Sequence, residues 1–253
     1  MERPNSEIYH YSDFTEKNYA NLLKLAKKNY KFISFNDFKN LDQTVLWRHD
    51  IDASPHRAYC LAKIEASQNV KATYFLHIHS NFYNLFEDEI FKLIKEISKL
   101  GHPLGLHFDP TFYKVNFGKT NDFDKYVHFE KCILKKMFQI DINAISIHNP
   151  TTVDAFDMKR ERIDGMINTY SDYIMKNYTY CSDSNCYWRY QRLYDLLLKA
   201  EEDRLHVLTH DACWTPKPMS PRDRISRVID GRAKKQHSIY DKLLKDLNRK
   251  NLS

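Results

Sequence analysis

Glycine is scarce in this chain. Five occur in 253 residues, at Gly101, Gly105, Gly118, Gly165 and Gly231, where ordinary usage would supply roughly three times as many. Their spacing cannot spell G-x-G-x-x-G or G-x-x-x-x-G-K-[ST], which excludes the dinucleotide fingerprint and the phosphate loop. C-x-x-C pairs are also missing. The five cysteines, Cys60, Cys132, Cys181, Cys186 and Cys213, are an odd number without metal-type spacing and read as reduced, packed thiols. No apolar run approaches the ~18 residues of a membrane span. The first residues lack an apolar leader core, so the expected location is the cytoplasm.

What is present points to a folded domain. Hydrophobic residues make up 42% and aromatics 14% of the chain, enough for a sizeable core. Lys and Arg number 39 against 33 Asp and Glu, a net +6. From 222 to 253 there are ten basic and four acidic residues, a local +6, so the preceding residues are neutral overall. This basic tail has helical spacing. No nucleic-acid motif accompanies it, so a solvated face is the plain reading and no nucleic-acid partner is expected. Peripheral contact with an anionic membrane surface is the other partner such a tail suits.

Short apolar runs alternate with longer amphipathic ones. Strands are expected over 44–49, 71–78, 102–107, 144–148, 179–182 and 205–209. Helices are expected over 13–30, 54–68, 87–100, 122–138, 191–202 and 222–249, with Ser54-Pro55 supplying a cap and a first-turn proline. The alternation implies a parallel sheet with outer helices, as an open doubly wound sheet or a barrel. Without repeats or linkers, residues 1–253 read as one domain. Residues 1–43 form a helical N-terminal extension and 222–253 a basic C-terminal helix.

In parallel α/β folds the carboxyl ends of strands converge on one face. Here those ends carry Arg48-His49-Asp50-Ile51-Asp52, His77 and His79, His107 and Asp109, His148-Asn149, and His210-Asp211. This repeated delivery of His and Asp suits metal-assisted hydrolysis, with a carboxylate as base and a separate histidine as acid. Asp50 and Asp52 share one strand face, because side chains repeat every two residues.

From Val45 to Trp214, the ordered motifs R-H-D-I-D (48–52), G-H-P-L-G-L-H-F-D-P-T (101–111), S-I-H-N-P (146–150), D-S (183–184) with W-R (188–189), and L-T-H (208–210) resemble the polysaccharide deacetylase family of NodB-homology domains. The closest pattern is the branch that opens with R-H-D-[VI]-D. The resemblance implies a distorted (β/α) barrel and a divalent metal, zinc first among candidates. It implies Asp50 as catalytic base, Asp52 and His107 as metal ligands, and His210 as general acid. Arg48, His49, Asp183, Trp188 and Arg189 fall at substrate-binding or orienting positions.

The chain departs from the pattern at Thr111, where the family has its second metal histidine. His148 is preferred as third ligand, being a neutral imidazole from a separate strand, and Asp109 is the alternative. His77 and His79 fit no motif, and one of them is expected at the site edge. The implied activity is removal of an N-acetyl group from an amino sugar. The substrate would be a nucleotide- or lipid-linked intermediate of surface polysaccharide or lipopolysaccharide assembly. Two alternatives stand beside it. One is a deformylase or other C–N amide hydrolase. The other is a non-catalytic sugar-binding domain that has lost its metal.

Overall fold

A computed structural model describes residues 3–39, 43–118, 123–150 and 159–252. The strands are β1 (Lys31–Ile33), β2 (Thr44–Ile51), β3 (Thr73–Leu76), β4 (Leu104–Phe108), β5 (Ala144–Ile147), β6 (Arg162–Ile163), β7 (Met166–Asn168), β8 (Thr179–Ser182) and β9 (Arg204–His210). The α-helices are α1 (Asn5–Ile8), α2 (Glu16–Asn29), α3 (Pro55–Ser67), α4 (Asp88–Lys99), α5 (Pro110–Phe117), α6 (Phe123–Phe138), α7 (Asp172–Asn177), α8 (Leu193–Lys199) and α9 (Pro221–Asp246). One curled sheet runs β6-β7-β5-β4-β3-β2-β9-β8, with β1 beside the first half of β2. Every pairing is parallel except β6 with β7. This is a distorted, open (β/α) barrel, one of the two arrangements that the strand–helix alternation allows and the one that the motif resemblance implies.

Alternation along the strands divides the core in two. Leu46 of β2, Phe75 of β3, Ala144 of β5 and Ile167 of β7 share an inner cluster with Phe35 and Phe38. Val45, Trp47, Tyr74, Leu76, Leu106, Ile145 and Val207 face the helices in the larger outer cluster. The two-residue period therefore fixes which chemistry points inward. Gly105 belongs to the inner layer of β4, and a Cβ there would lie 2.5 Å from two atoms of the Phe75 ring. Its missing side chain is the space that ring fills.

Local signals place the helices. Ser54 accepts the Arg57 N–H and Pro55 opens α3, the expected cap and first-turn proline. Position 122, expected to start a helix, lies outside the described residues, and α6 runs from Phe123. The short elements β1, β6, β7, α5 and α7 were not expected. Residues 1–43 are therefore more than a helical extension: β1 joins the sheet, and Tyr19, Leu22, Leu23 and Ala26 of α2 are buried in the core.

The expectation of reduced thiols is also corrected. Cys186 and Cys213 form a disulfide, while Cys60, Cys132 and Cys181 are free. The two cysteines follow β8 and β9, neighbouring strands whose ends bring them together. Such bonds persist mainly in oxidising surroundings, in tension with the expected cytoplasmic location. Among the described residues no helix is long and apolar enough to cross a membrane.

Candidate active site

The inward residues of β2 and its exit are Arg48, Asp50 and Asp52. Across the sheet, Asp50 pairs in register with His210 of β9. On the other side β4 brings His107, and β5 brings Ser146 and then His148. His107 Nδ1 lies 3.2 Å from Ser146 Oγ, which donates to Asp50 Oδ2 at 3.0 Å. With Nδ1–H donating to Ser146, the Nε2 lone pair of His107 is turned to the other side.

There, three donors form a triangle. His107 Nε2 lies 3.1 Å from Asp52 Oδ1 and 3.1 Å from His148 Nδ1, and His148 Nδ1 lies 3.6 Å from Asp52 Oδ1. Ligand bonds of about 2.0–2.2 Å in tetrahedral geometry would set donors about 3.3–3.6 Å apart. Asp52 Oδ1 is buried without a hydrogen bond. The donors are thus of a kind, and close to the spacing, that could hold a divalent ion. Asp109 does not join it: its Oδ1 accepts the Thr111 N–H at 2.9 Å and the Phe112 N–H at 3.4 Å, capping α5.

Charge tunes these groups. Burial opposes ionisation of Asp52, but the imidazoles of His107, His210 and His148 around it hold its carboxyl far below the ordinary range. Burial and the neighbouring His107 push His148 down to about 4, leaving a neutral imidazole, the form that ligates metal. Burial also works against charge on His210, yet Asp183 raises it to about 10. Asp211 is raised to about 6 by burial and by Asp52. Its carboxylate accepts the backbone N–H groups of Asp52, Ala53 and Ser54, fixing the turn that carries Asp52.

A cavity of about 480 Å³ opens above these groups, lined by Asp52, His77, His148, Tyr170, Tyr180, Arg189, Tyr190 and His210. A larger one, about 780 Å³ between α3 and α9, contains none of them.

Of the other residues expected at the site, some lie beside it and some away from it. His49 points outward, where Nε2 donates to Glu65 Oε1 at 2.6 Å and Nδ1 meets Thr209 Oγ1 at 2.7 Å. Arg48 points inward but is fully buried beneath the cavity. Its guanidinium donates to Thr169 Oγ1 and to Tyr170 OH, 2.8 Å away, and lies 3.6 Å from Asp50. Trp188 stacks on Phe14 and donates to Asp13 Oδ2 at 3.0 Å, so it braces the N-terminal segment. Asp183 is buried and grips His210. Arg189 reaches the cavity. His79 stacks on Phe112 and donates to Glu130 at 3.0 Å, away from the triangle, whereas His77 faces it. Tyr170 and Tyr180 carried no motif that could single them out among 17 tyrosines.

No protein-family model matches the chain, and no curated protein matches it. Solved structures offer distant likenesses. A polysaccharide deacetylase from Bacillus cereus shares 15% identity over 77% of this chain and 89% of that one, at a TM-score of 0.40. A deacetylase from Streptococcus pyogenes, in complex with acetate, shares 16% identity over 83% and 84%, at 0.41. A CE4 family pseudoenzyme from Bacillus anthracis shares 11% identity over 77% and 62%, at 0.40.

Proposed function

We propose that this chain is a metal-dependent deacetylase acting on an N-acetylated amino sugar. The observation that carries the reading is the Asp52–His107–His148 triangle beside an acid–base pair. Asp50 keeps Oδ1 buried without a hydrogen bond, and His210 stands opposite it in register.

Asp52, His107 and His148 would hold the ion. A divalent ion bound there supplies a Lewis acid for the acetyl carbonyl and lowers the pKa of water. Asp50 takes the proton from the attacking water, its other oxygen held by Ser146. His210, kept charged by Asp183, gives a proton to the departing amine. Tyr170, Tyr180 and Tyr190 line the cavity with ring faces suited to a sugar, and Arg189 adds a charge at its wall. These groups suit a nucleotide- or lipid-linked sugar, whose diphosphate would meet that charge.

The test uses zinc-loaded full-length protein with N-acetylhexosamine oligomers and nucleotide-linked N-acetylhexosamines. Acetate release, abolished by chelation and restored by zinc, is expected. Asp50→Asn should lower it by roughly 10³ or more, given what a general base and its activated water contribute. Formate instead of acetate from N-formyl analogues would favour the deformylase. Release of neither, from protein holding stoichiometric zinc, would refute the enzyme reading.

The substrate carrier directs attention to α9, whose exposed Ile229, Tyr240 and Leu243, continued by Leu247 just past its end, recur on one face with Lys234, Lys242 and Lys245 around the other side. We propose that this face meets an anionic membrane surface. Co-sedimentation with phosphatidylglycerol vesicles, lost on Leu243→Asp and absent with phosphatidylcholine, is the expected result. Equal binding to both lipids, or none to either, would overturn it.

A further inference from the structure

Three strands separate β7 from β2 in the sheet order, yet the curl brings the residues after β7 onto a side chain of β2. That side chain is Arg48, which is fully buried. Its Nη2 donates to Tyr170 OH at 2.8 Å and lies 3.6 Å from Asp50 Oδ2, while Nη1 donates to Thr169 Oγ1. The Tyr170 hydroxyl and the carboxylate of Asp50 are therefore neighbours on one guanidinium nitrogen.

The bond from Arg48 to Tyr170 has a direction. A guanidinium carries donors only, so the phenol oxygen accepts and its own proton is left for another group. Tyr170 and Tyr180 both stand in the wall of the cavity that holds Asp52, His148 and His210. The Tyr180 phenol neighbours that of Tyr170 there, and a bound acceptor would take its place. Burial raises both phenols, so they stay protonated and remain donors. The segment is also fixed. The Tyr170 backbone N–H donates to Asn168 Oδ1 at 3.0 Å, and the Thr169 N–H donates to the Ile145 carbonyl at 3.0 Å. A donor held in place before substrate arrives is what stabilises charge that appears only in a transition state.

The acyl carbon under attack sits next to the water that Asp50 activates. A hydroxyl that shares a guanidinium nitrogen with Asp50 is placed to reach the acyl group rather than the distant rings of a sugar chain. We propose, on the deacetylase reading above, that the Tyr170 hydroxyl, held by Arg48, donates to the acetyl oxygen as negative charge develops there. As water adds to the carbon and Asp50 takes its proton, the carbonyl electron pair moves onto oxygen and accepts the Tyr170 O–H. The pair returns as the C–N bond breaks, and the amine leaves with the proton from His210.

Tyr170→Phe keeps the ring and removes the hydroxyl, and circular dichroism checks the fold. In zinc-loaded full-length protein acting on N-acetylhexosamine oligomers, kcat should fall by roughly 10²–10³, the usual effect of removing one such donor, with KM and zinc stoichiometry unchanged. A second measurement needs no turnover. Calorimetry with the N-methylphosphonyl analogue of the same oligomers, whose charged tetrahedral group stands in for the attacked acetyl, should show a comparable loss of affinity. Tyr180→Phe should lower kcat less than Tyr170→Phe does. A raised KM with unchanged kcat in Tyr170→Phe would make the residue a wall for the sugar and overturn the proposal. The larger loss falling on Tyr180→Phe would also overturn it. Either result leaves the deacetylase standing, since the wild type still releases acetate. Wild-type protein that releases none would overturn both.

Discussion

Asp183 holds His210 by its ring and by its backbone. Asp183 Oδ1 lies 2.6 Å from His210 Nδ1, and its two oxygens lie 2.9 and 3.1 Å from the His210 backbone nitrogen. Trp214 Nε1 donates to the other oxygen at 3.0 Å. The carboxylate is thus saturated with donors, and the imidazole presents Nε2 to the cavity side, 3.8 Å from Asp52 Oδ2.

On the proposed mechanism this pair would set the alkaline limit of activity. The folded state favours charged His210, raised to about 10 against burial. Its contribution to stability is complete below the ordinary histidine value and is lost as pH rises through about 10. The acid form needed for proton donation persists over the same range. Asp183→Asn removes the main cause of the rise. The alkaline limb of acetate release should move to lower pH, and kcat/KM should fall by about 10²–10³. An unmoved limb in the pH–rate profile would show that His210 is not the acid.

His49 should behave as a structural residue. It shares the buried Glu65 with Tyr19 and Tyr74, the latter donating to Oε2 at 2.6 Å. His49→Ala strips that carboxylate of the imidazole that lies 2.6 Å from it inside the core. Loss of one member of a buried pair costs about 3–5 kcal/mol. Urea unfolding should show the loss, while KM for the sugar stays within a factor of two in the fraction still folded. A large KM change with unaltered stability would return His49 to the substrate.

Gly105→Ala tests packing beneath the proposed metal ligands. The new Cβ would lie 2.5 Å from the Phe75 ring and 3.0 Å from the Ala144 carbonyl oxygen. Overpacking of this kind costs about 1–3 kcal/mol. Phe75→Leu in the same chain should recover part of the loss, so the two changes are non-additive. Simple additivity in thermal unfolding would mean that the ring is not what excludes a side chain at 105.

The Cys186–Cys213 bridge ties the loop after β8 to the loop after β9, closing 27 residues of chain. Bridges of this span contribute about 2–4 kcal/mol. Reduction, or Cys186→Ser with Cys213→Ser, should lower Tm by about 5–10 °C. It should also slow acetate release, because the bridge joins the segments that carry Asp183 and His210. An unchanged Tm under reductant would show that the bond contributes nothing to the folded state.

The long elements were legible because their signals are local. The 44–51 strand is β-rich, and Ser54-Pro55 announces a helix. Strand ends carrying His and Asp pointed to the face of the sheet where Asp52, His107 and His148 come together. The short β6 and β7 hold too few residues to show a period. Other features depended on tertiary contact. Nothing in the spacing of Cys186 and Cys213 specifies their pairing, and Trp188 meets Asp13 across 175 residues. His49 is different, since its position was legible. The two-residue rule that put Asp50 and Asp52 together places residue 49 on the opposite side. Motif membership suggested substrate contact, and the geometry of the strand overrode it.

That strand tolerates substitution more readily than a change of phase. Between Trp47 and Asp52, successive side chains go alternately to the helices and to the site, while β3 and β9 hold the register on either edge. Deleting one residue here would send Asp50 and Asp52 into the apolar layer and turn Trp47 or Ile51 toward the cavity. A change of length that a loop would absorb is, in β2, an exchange of the protein's interior for its active face.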